Sequence, residues 1–323
     1  MYKTLKIKIF NIIPYWFIAL TILLALQNFT FLITKHPDSL SKIENSKALP
    51  TVLGVETSVR GTPDISNRTE IIQISEPNTK SVTAQSFIAF DLSTGKNILE
   101  KNTDSKLSIA SLTKLLTSFV AYQNTDLHHE VIISKEDIID IKPNLNLNIG
   151  DKVKALDLFN AMLIGSCNDA ALSLANFVSN STGTNFVKIM NSQAKSLGMS
   201  NSNFSNPMGF DSKYNYSTAN DLKKLILSTE RLAVYKNLGR RTNYEFLSEQ
   251  GKKYSTVATN KLITKYPDIE AIKTGHTEMA KGTMATKFSL HGEEIVIIIL
   301  GSIDREGDTL KIKSEISNNF KVN

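Results

Sequence analysis

The sequence predicts an α/β fold: an antiparallel sheet assembled from both ends of one globular segment, with helices on its faces and a helical lobe beside it. Three observations carry this reading. Residues 87–90 and 97–100 are strand candidates that flank a turn at Ser93-Thr94-Gly95, so the second returns antiparallel to the first. Residues 136–238 are mostly helical in their apolar spacing. Three sequential strand candidates follow at 269–275, 283–290 and 294–300. The last holds the unbroken apolar run Ile295-Val296-Ile297-Ile298-Ile299-Leu300, the pattern of a central strand covered on both faces.

Lys3, Lys6 and Lys8 precede an uncharged segment, residues 9–34. A helix needs about 20 apolar residues to span a bilayer. Asn11 and Pro14 weaken the start of this segment, so the predicted span is 13–33, with Tyr15 and Trp16 at headgroup level on the lysine side. Positive charge stays inside, so residues 1–34 are expected to anchor the chain with the remainder on the outer side of a bacterial membrane. A signal segment that is cleaved to release a secreted protein is the alternative. Its apolar region is shorter, about 7–15 residues, and ends in a small-x-small site, of which there is no good example here. Residues 35–83 are rich in Ser, Thr, Pro, Asn and charge and lose hydrophobic periodicity. They read as a mostly disordered tether, and residues 84–323 as the globular domain.

Within that domain, residues 111–122 form an apolar helix. Being apolar all round, it belongs at the centre of the fold, where it would hold its first residues rigidly. Residues 131–133 are a short strand and 144–151 a loop. Helices are expected at 155–164 and 169–178, the second capped by Asn168 or Asp169. Another runs over 186–197 and is stopped by Gly198, and one over 219–228 is capped by Ser217-Thr218. Residues 244–247 and 253–256 form a hairpin, and 308–319 a closing helix. There are no internal repeats.

The chain has 323 residues, of which 41% are hydrophobic, which suits a globular protein. A formal charge of +6, without a basic stripe interleaved with aromatics, argues against nucleic acid as a partner. The single cysteine, Cys167, excludes an intramolecular disulfide. Neither C-x-x-C nor H-E-x-x-H spacing occurs, so no metal or other cofactor is implied.

The chemistry centres on Ile109-Ala110-Ser111-Leu112-Thr113-Lys114. On a helix, positions i and i+3 share a face, so the hydroxyl of Ser111 and the amine of Lys114 can meet. A serine hydroxyl needs a base to become a nucleophile, and a lysine serves if burial and nearby positive charge lower its pKa. Spacing alone is a weak signal, because most such pairs are solvated helix surface. Two further segments change this: Gly165-Ser166-Cys167-Asn168-Asp169 and Ile272-Lys273-Thr274-Gly275-His276. S-x-x-K, an S-D-N-like triplet and K-T-G, in that order, are the signature of penicillin-recognising serine enzymes.

From about residue 86 to its end the chain therefore resembles the serine D-alanyl-D-alanine carboxypeptidases, the low-molecular-mass penicillin-binding proteins. Phe90-Asp91-Leu92-Ser93-Thr94-Gly95, Leu197-Gly198-Met199, Asn206-Pro207-Met208-Gly209-Phe210-Asp211 and Tyr216-Ser217-Thr218-Ala219 add to the likeness. The resemblance implies the β-lactamase/transpeptidase-like fold with a cleft between sheet and helical lobe. It also implies removal of the terminal D-alanine from peptidoglycan pentapeptide stems, with β-lactams as covalent inhibitors. Carried over residue by residue, Ser111 is the nucleophile and Lys114 the acylation base. Ser166 relays a proton to the leaving amine, and Asn168 holds the substrate amide and Lys114. Lys273 lowers the pKa of Lys114 and attracts the substrate carboxylate, which Thr274 binds. Gly275 admits the substrate backbone. The N–H groups of Ser111 and His276 form the oxyanion hole, the His276 imidazole being incidental, and Arg305 is a candidate second clamp on the carboxylate.

Three positions depart from the family pattern. Cys167 stands where glycine is common, either as a small apolar filler or as an oxidisable thiol at the cleft. Met208 stands where many relatives have histidine, and Lys281 where glycine is common. Competing readings are a D,D-endopeptidase using the same residues, a β-lactamase, and a sensor that acylates once. The β-lactamase reading lacks an E-x-x-L-N segment between Asn168 and Lys273. The typical member also carries a β-rich second domain and a C-terminal amphipathic helix, neither of which is recognisable here.

Overall fold

The computed structural model describes residues 70–323 other than Asn237. The predicted anchor, and the tether as far as residue 69, lie outside the described residues. Among the described residues no helix is long and apolar enough to cross a membrane.

The sheet has five antiparallel strands: β2 (Ser86–Asp91), β3 (Asn97–Lys101), β8 (Ile269–Thr277), β9 (Lys281–Leu290) and β10 (Glu293–Ser302). Their spatial order is β3-β2-β10-β9-β8, so β10 is central and β8 forms an edge. The period of two explains the unbroken apolar run in β10. Val296, Ile298 and Leu300 join the core under the helical lobe, while Ile295, Ile297 and Ile299 join a second core on the other face. The closing helix α7 (Arg305–Asn319) covers that second core with Ile312 and Ile316.

Between the two halves of the sheet lie α1 (Thr113–Asn124), α2 (Ala155–Ile164), α3 (Asn168–Thr182), α4 (Phe186–Ser196) and α5 (Ala219–Thr229). A short α6 (Leu262–Lys265) precedes β8. Two small ladders pair β4 (Glu130–Ile132) with β5 (Lys152–Lys154), and β6 (Asn243–Leu247) with β7 (Lys253–Val257). The central helix α1 is buried from Thr113 to Ala121, as its all-round hydrophobicity predicts.

Three sequence expectations change. The tether does not reach residue 83: β1 (Ile71–Gln73) pairs antiparallel with β11 (Phe320–Val322). Farther on, the Thr83 N–H and hydroxyl donate to the Asp308 carboxylate at 2.9 and 2.6 Å. Polar composition hid this segment because its contacts are a three-residue ladder, scattered side-chain hydrogen bonds and isolated apolar residues such as Ile71 and Val82, not a periodic apolar face. The cap of α3 is Cys167, not Asn168 or Asp169, and no side chain caps that end. Finally, Ser111 does not begin the α-helix: Ala110–Leu112 form a 3₁₀ turn and α1 starts at Thr113.

Candidate active site

The 3₁₀ turn places Ser111 where α1 meets the edge strand. Its carbonyl partner upstream is fixed from the sheet, since the Thr283 hydroxyl on β9 donates to the Ile109 carbonyl at 3.1 Å. Ala110 in this turn has φ +48°, a left-handed value that alanine adopts only when its surroundings hold it. Gly275 on β8 explains the tightness. A Cβ there would lie 2.8 Å from the Ser111 nitrogen and 2.9 Å from Ala110 Cβ, so only glycine lets the strand approach the nucleophile so closely.

Lys114 is wholly buried and reaches back one turn. Its Nζ donates to Ser111 Oγ at 3.1 Å, Asn168 Oδ1 at 2.8 Å and the Met208 carbonyl at 2.7 Å. Three donors therefore meet three acceptors, and the lone pair of a neutral amine would face the serine hydroxyl after one proton is lost. Burial lowers the Lys114 pKa to about 7, with Cys167 and Asp169 pulling the other way. Lys273 is also wholly buried, and its pKa is well below the usual lysine range through burial first and then the nearby Lys114, a repulsion that acts between the two amines.

The Met208 carbonyl is a functional group that the sequence does not reveal. The Asn206 side-chain carbonyl accepts from the N–H groups of Met208, Gly209 and Phe210 at 3.2, 2.7 and 3.0 Å. The Thr117 hydroxyl, one turn beyond Lys114, donates to the Pro207 carbonyl at 2.7 Å. The loop thus offers main chain to Lys114, and the departure from histidine at Met208 leaves that contact intact. Asn168 is fixed from its far side, Nδ2 donating to the Ile141 carbonyl at 2.8 Å and its N–H to the Pro143 carbonyl at 2.7 Å.

Ser166 follows the C-cap Gly165 of α2 and stands at φ +61°. It is buried, and its hydroxyl has no hydrogen-bond partner among the described residues. Lys273 Nζ donates to the Thr274 carbonyl at 2.9 Å. The Thr274 hydroxyl is 2.5 Å from that of Thr259, whose N–H donates to the Ile164 carbonyl at 3.3 Å. Thr259 thus ties the end of α2 to the edge strand, another contact that no sequence motif announces. His276 is exposed and pairs with Gly282 in the ladder. Arg305 NH1 donates to the Gly275 carbonyl at 2.7 Å and Nε to Glu306 at 3.1 Å, which holds the guanidinium beside the K-T-G strand.

Cys167 is buried beside Thr256, and burial pushes its thiol up to about 11. It is a filler, and the reading of it as a readily oxidised thiol is set aside because the thiolate is the reactive form. Lys281 has φ +54°, which accounts for glycine being the common residue there. Among the described residues no cluster of His, Cys, Asp or Glu could hold a metal ion.

Comparison with known proteins agrees with this geometry. The peptidase S11 family, described as D-alanyl-D-alanine carboxypeptidase, matches residues 72–303. D-alanyl-D-alanine carboxypeptidase DacF of Bacillus subtilis is 30% identical over 227 residues, which are 68% of this chain and 57% of the relative. DacC of Escherichia coli is 29% identical over 69% of this chain and 57% of the relative. DacB2 of Mycobacterium tuberculosis is 28% identical over 69% of this chain and 77% of the relative. The chain thus spans 57% of the length of the first two. The structure of the Streptomyces K15 DD-transpeptidase superposes with a TM-score of 0.68 at 25% identity, covering 75% of this chain and 99% of that one. With its three motifs converging on one buried lysine inside that fold, the chain belongs to the D-alanyl-D-alanine carboxypeptidase family of serine peptidases.

Proposed function

We propose that this chain is a serine carboxypeptidase that removes the terminal D-alanine from peptidoglycan stem peptides through an acyl-enzyme on Ser111. The observation that carries the reading is the contact set of Lys114, a buried amine near pKa 7 within hydrogen-bond reach of the Ser111 hydroxyl. Ser111 Oγ attacks the carbonyl of the penultimate D-alanine while neutral Lys114 takes its proton. The oxyanion forms against the N–H groups of Ser111 and His276, on the side where Gly275 abuts the Ser111 nitrogen. Ser166, whose hydroxyl is unengaged, passes a proton to the departing D-alanine nitrogen as the C–N bond breaks. Asn168 holds the substrate amide. Lys273, Thr274 and Arg305 receive the terminal carboxylate, and water then releases the acyl group from Ser111. A β-lactam, whose amide mimics the scissile bond, acylates the same serine.

Residues 13–33 are proposed to anchor the chain in the bacterial membrane with this domain on the outer side, where peptidoglycan lies. The likeness to a DD-transpeptidase favours a second outcome from the same intermediate, transfer of the acyl group to an amine instead of water.

The test is D-alanine release from diacetyl-Lys-D-Ala-D-Ala by the full chain, with and without an added amine acceptor, alongside labelling by a fluorescent penicillin. Ser111→Ala is expected to lose both release and labelling. Retained labelling in that variant refutes Ser111 as the nucleophile. Labelling of the wild type without any release leaves endopeptidase or sensor activity in its place.

A further inference from the structure

One buried ionisable group near the nucleophile has no part in the proposed reaction. Asp169, in the first turn of α3, is 1% exposed. A carboxylate so placed is costly unless its oxygens are satisfied. Oδ1 accepts from the N–H groups of Leu145 and Ala170 at 3.0 and 2.9 Å, and Oδ2 from those of Leu145 and Leu147 at 2.8 and 3.4 Å. Donors meet both oxygens, which suits the ionised form, and the amino end of a helix favours it as well. Burial raises the Asp169 pKa, while these N–H groups and that of Asn146 pull it back down.

The donors come from a segment outside any helix or strand. Leu145 and Leu147 bury their side chains in the core of the helical lobe, on either side of Asn146 at φ +56°. Among the described residues no main-chain carbonyl accepts from either leucine N–H, so the carboxylate stands in for a secondary-structure partner. The same segment supplies both acceptors that set Asn168: the Ile141 carbonyl for its Nδ2 and the Pro143 carbonyl for its N–H. Asn144 Nδ2 donates to the Ile139 carbonyl at 3.0 Å and ties the segment to itself. Asn168 Oδ1 in turn accepts from Lys114 at 2.8 Å. Adjacent residues thus meet one loop, Asp169 bracing it and Asn168 taking its position from it.

Resting on the acyl-enzyme reading, we propose that Asp169 is a positioning residue for acylation: its carboxylate braces residues 145–147 against the start of α3, so that the Ile141 and Pro143 carbonyls hold Asn168, and through it Lys114, toward Ser111. The same charge acts on the base directly, favouring the ammonium form of Lys114 against the effect of burial. The other titratable groups acting here are the Cys167 thiol, pushed up to about 11 and so neutral, and Lys273 of β8, itself well below the usual lysine range. Around Asp169, Tyr254 of β7 donates to Asp151, Lys142 is held by Asn144 and Asn146 at 2.6 and 2.9 Å, and Asp140 is exposed. Neutralising Asp169 therefore changes the placement of Asn168 and the titration of Lys114 together. A carboxylate that only stabilised the fold would do neither.

The experiment follows the rate at which a fluorescent penicillin acylates the full chain from about pH 5 to about pH 9, in the wild type and in Asp169→Asn. The amide keeps the shape of the side chain but has one acceptor oxygen in place of two, and no charge. Its plateau rate is expected to fall about tenfold to a hundredfold, and the midpoint of its profile to move to lower pH. At about pH 6 the wild type should run at about a tenth of its plateau rate, and the variant at about a quarter of its own. An unchanged plateau or an unchanged midpoint overturns the role, however much stability the variant has lost. A double-mutant cycle with Asn168→Ala reads the route. If Asp169 acts through Asn168, the combined loss falls short of the product of the two single losses, and full multiplication overturns that route. Should Asp169→Asn fail to fold, amide hydrogen exchange in the wild type decides. The Leu145 and Leu147 N–H groups should be protected although they lack a main-chain acceptor, and fast exchange at both overturns the brace. A wild-type rate that does not rise between about pH 6 and about pH 8 overturns instead the reading of Lys114 as the base, and the exchange measurement then still decides the brace.

Discussion

If Lys114 is the acylation base, the rate at which β-lactams acylate Ser111 must follow the neutral fraction of a group with pKa about 7. That fraction is about 10% one unit below the pKa and about 90% one unit above it. The second-order rate constant should therefore rise about tenfold between pH 6 and 8 and then level off. An exposed lysine near 10.4 would give a different curve, climbing about tenfold per unit without a plateau until beyond pH 9. Stopped-flow acylation with a fluorescent penicillin separates the two, because the reporter itself does not titrate in this range. A profile that still climbs with unit slope at about pH 9 would refute the claim that burial makes this lysine a base.

Two further outcomes follow from the geometry. Gly209 has φ +88°, and a Cβ there would fall 2.0 Å from the Ala110 carbonyl oxygen, a backbone atom that cannot swing aside. Gly209→Ala should cost clearly more stability by urea denaturation than the ~1–2 kcal/mol of a left-handed alanine, and it should slow acylation. Gly198→Ala, at φ +72° with nothing within 4 Å, is the control that shows backbone strain alone; equal losses in both variants would contradict the packing argument. For Cys167, a buried thiol with pKa about 11 should resist alkylation in the native protein near neutral pH and react on unfolding. Rapid native labelling, followed by mass spectrometry, would reopen its redox role.

The site was legible where chemistry demands a particular side chain at a particular spacing. Ser111 with Lys114, Ser166 with Asn168, and Lys273-Thr274-Gly275 are such cases, and the fold brings all three segments to one edge of the sheet. The unbroken run in β10 likewise has one physical meaning, burial on both faces. What escaped notice depends on main chain or on threonines common in strands. The Met208 carbonyl could be supplied by any residue, and only the Asn206 side chain that shapes its loop leaves a trace. Thr259 and Thr283 work through contacts made after long separations in sequence. The strands β1 and β11 are three residues each, too short for a period of two to stand out.

The burial that makes Lys114 reactive also weakens the fold in a pH-dependent way. Its folded-state pKa, lowered from 10.5 to about 7, lies below the unfolded value, so between these limits the unfolded chain binds more protons. Stability therefore rises with pH from about 7 toward 10.5, and below about 7 the native state bears the whole penalty of a buried ammonium, on the order of 5 kcal/mol. Lys273, lowered for the same reason, acts with the same sign. Lys114→Met keeps the side chain out to the ε carbon and removes the titration. It also strands the Asn168 and Met208 acceptors, at a cost of about 1–3 kcal/mol each that does not depend on pH. The absolute stability of the variant is thus a balance of two terms, but the slope is not. Between about pH 6 and about pH 9 the wild type should gain about 3 kcal/mol more than Lys114→Met in urea denaturation. Parallel stability curves for the two proteins would mean that Lys114 keeps an ordinary pKa in the folded state, and the base would have to be sought elsewhere in the site.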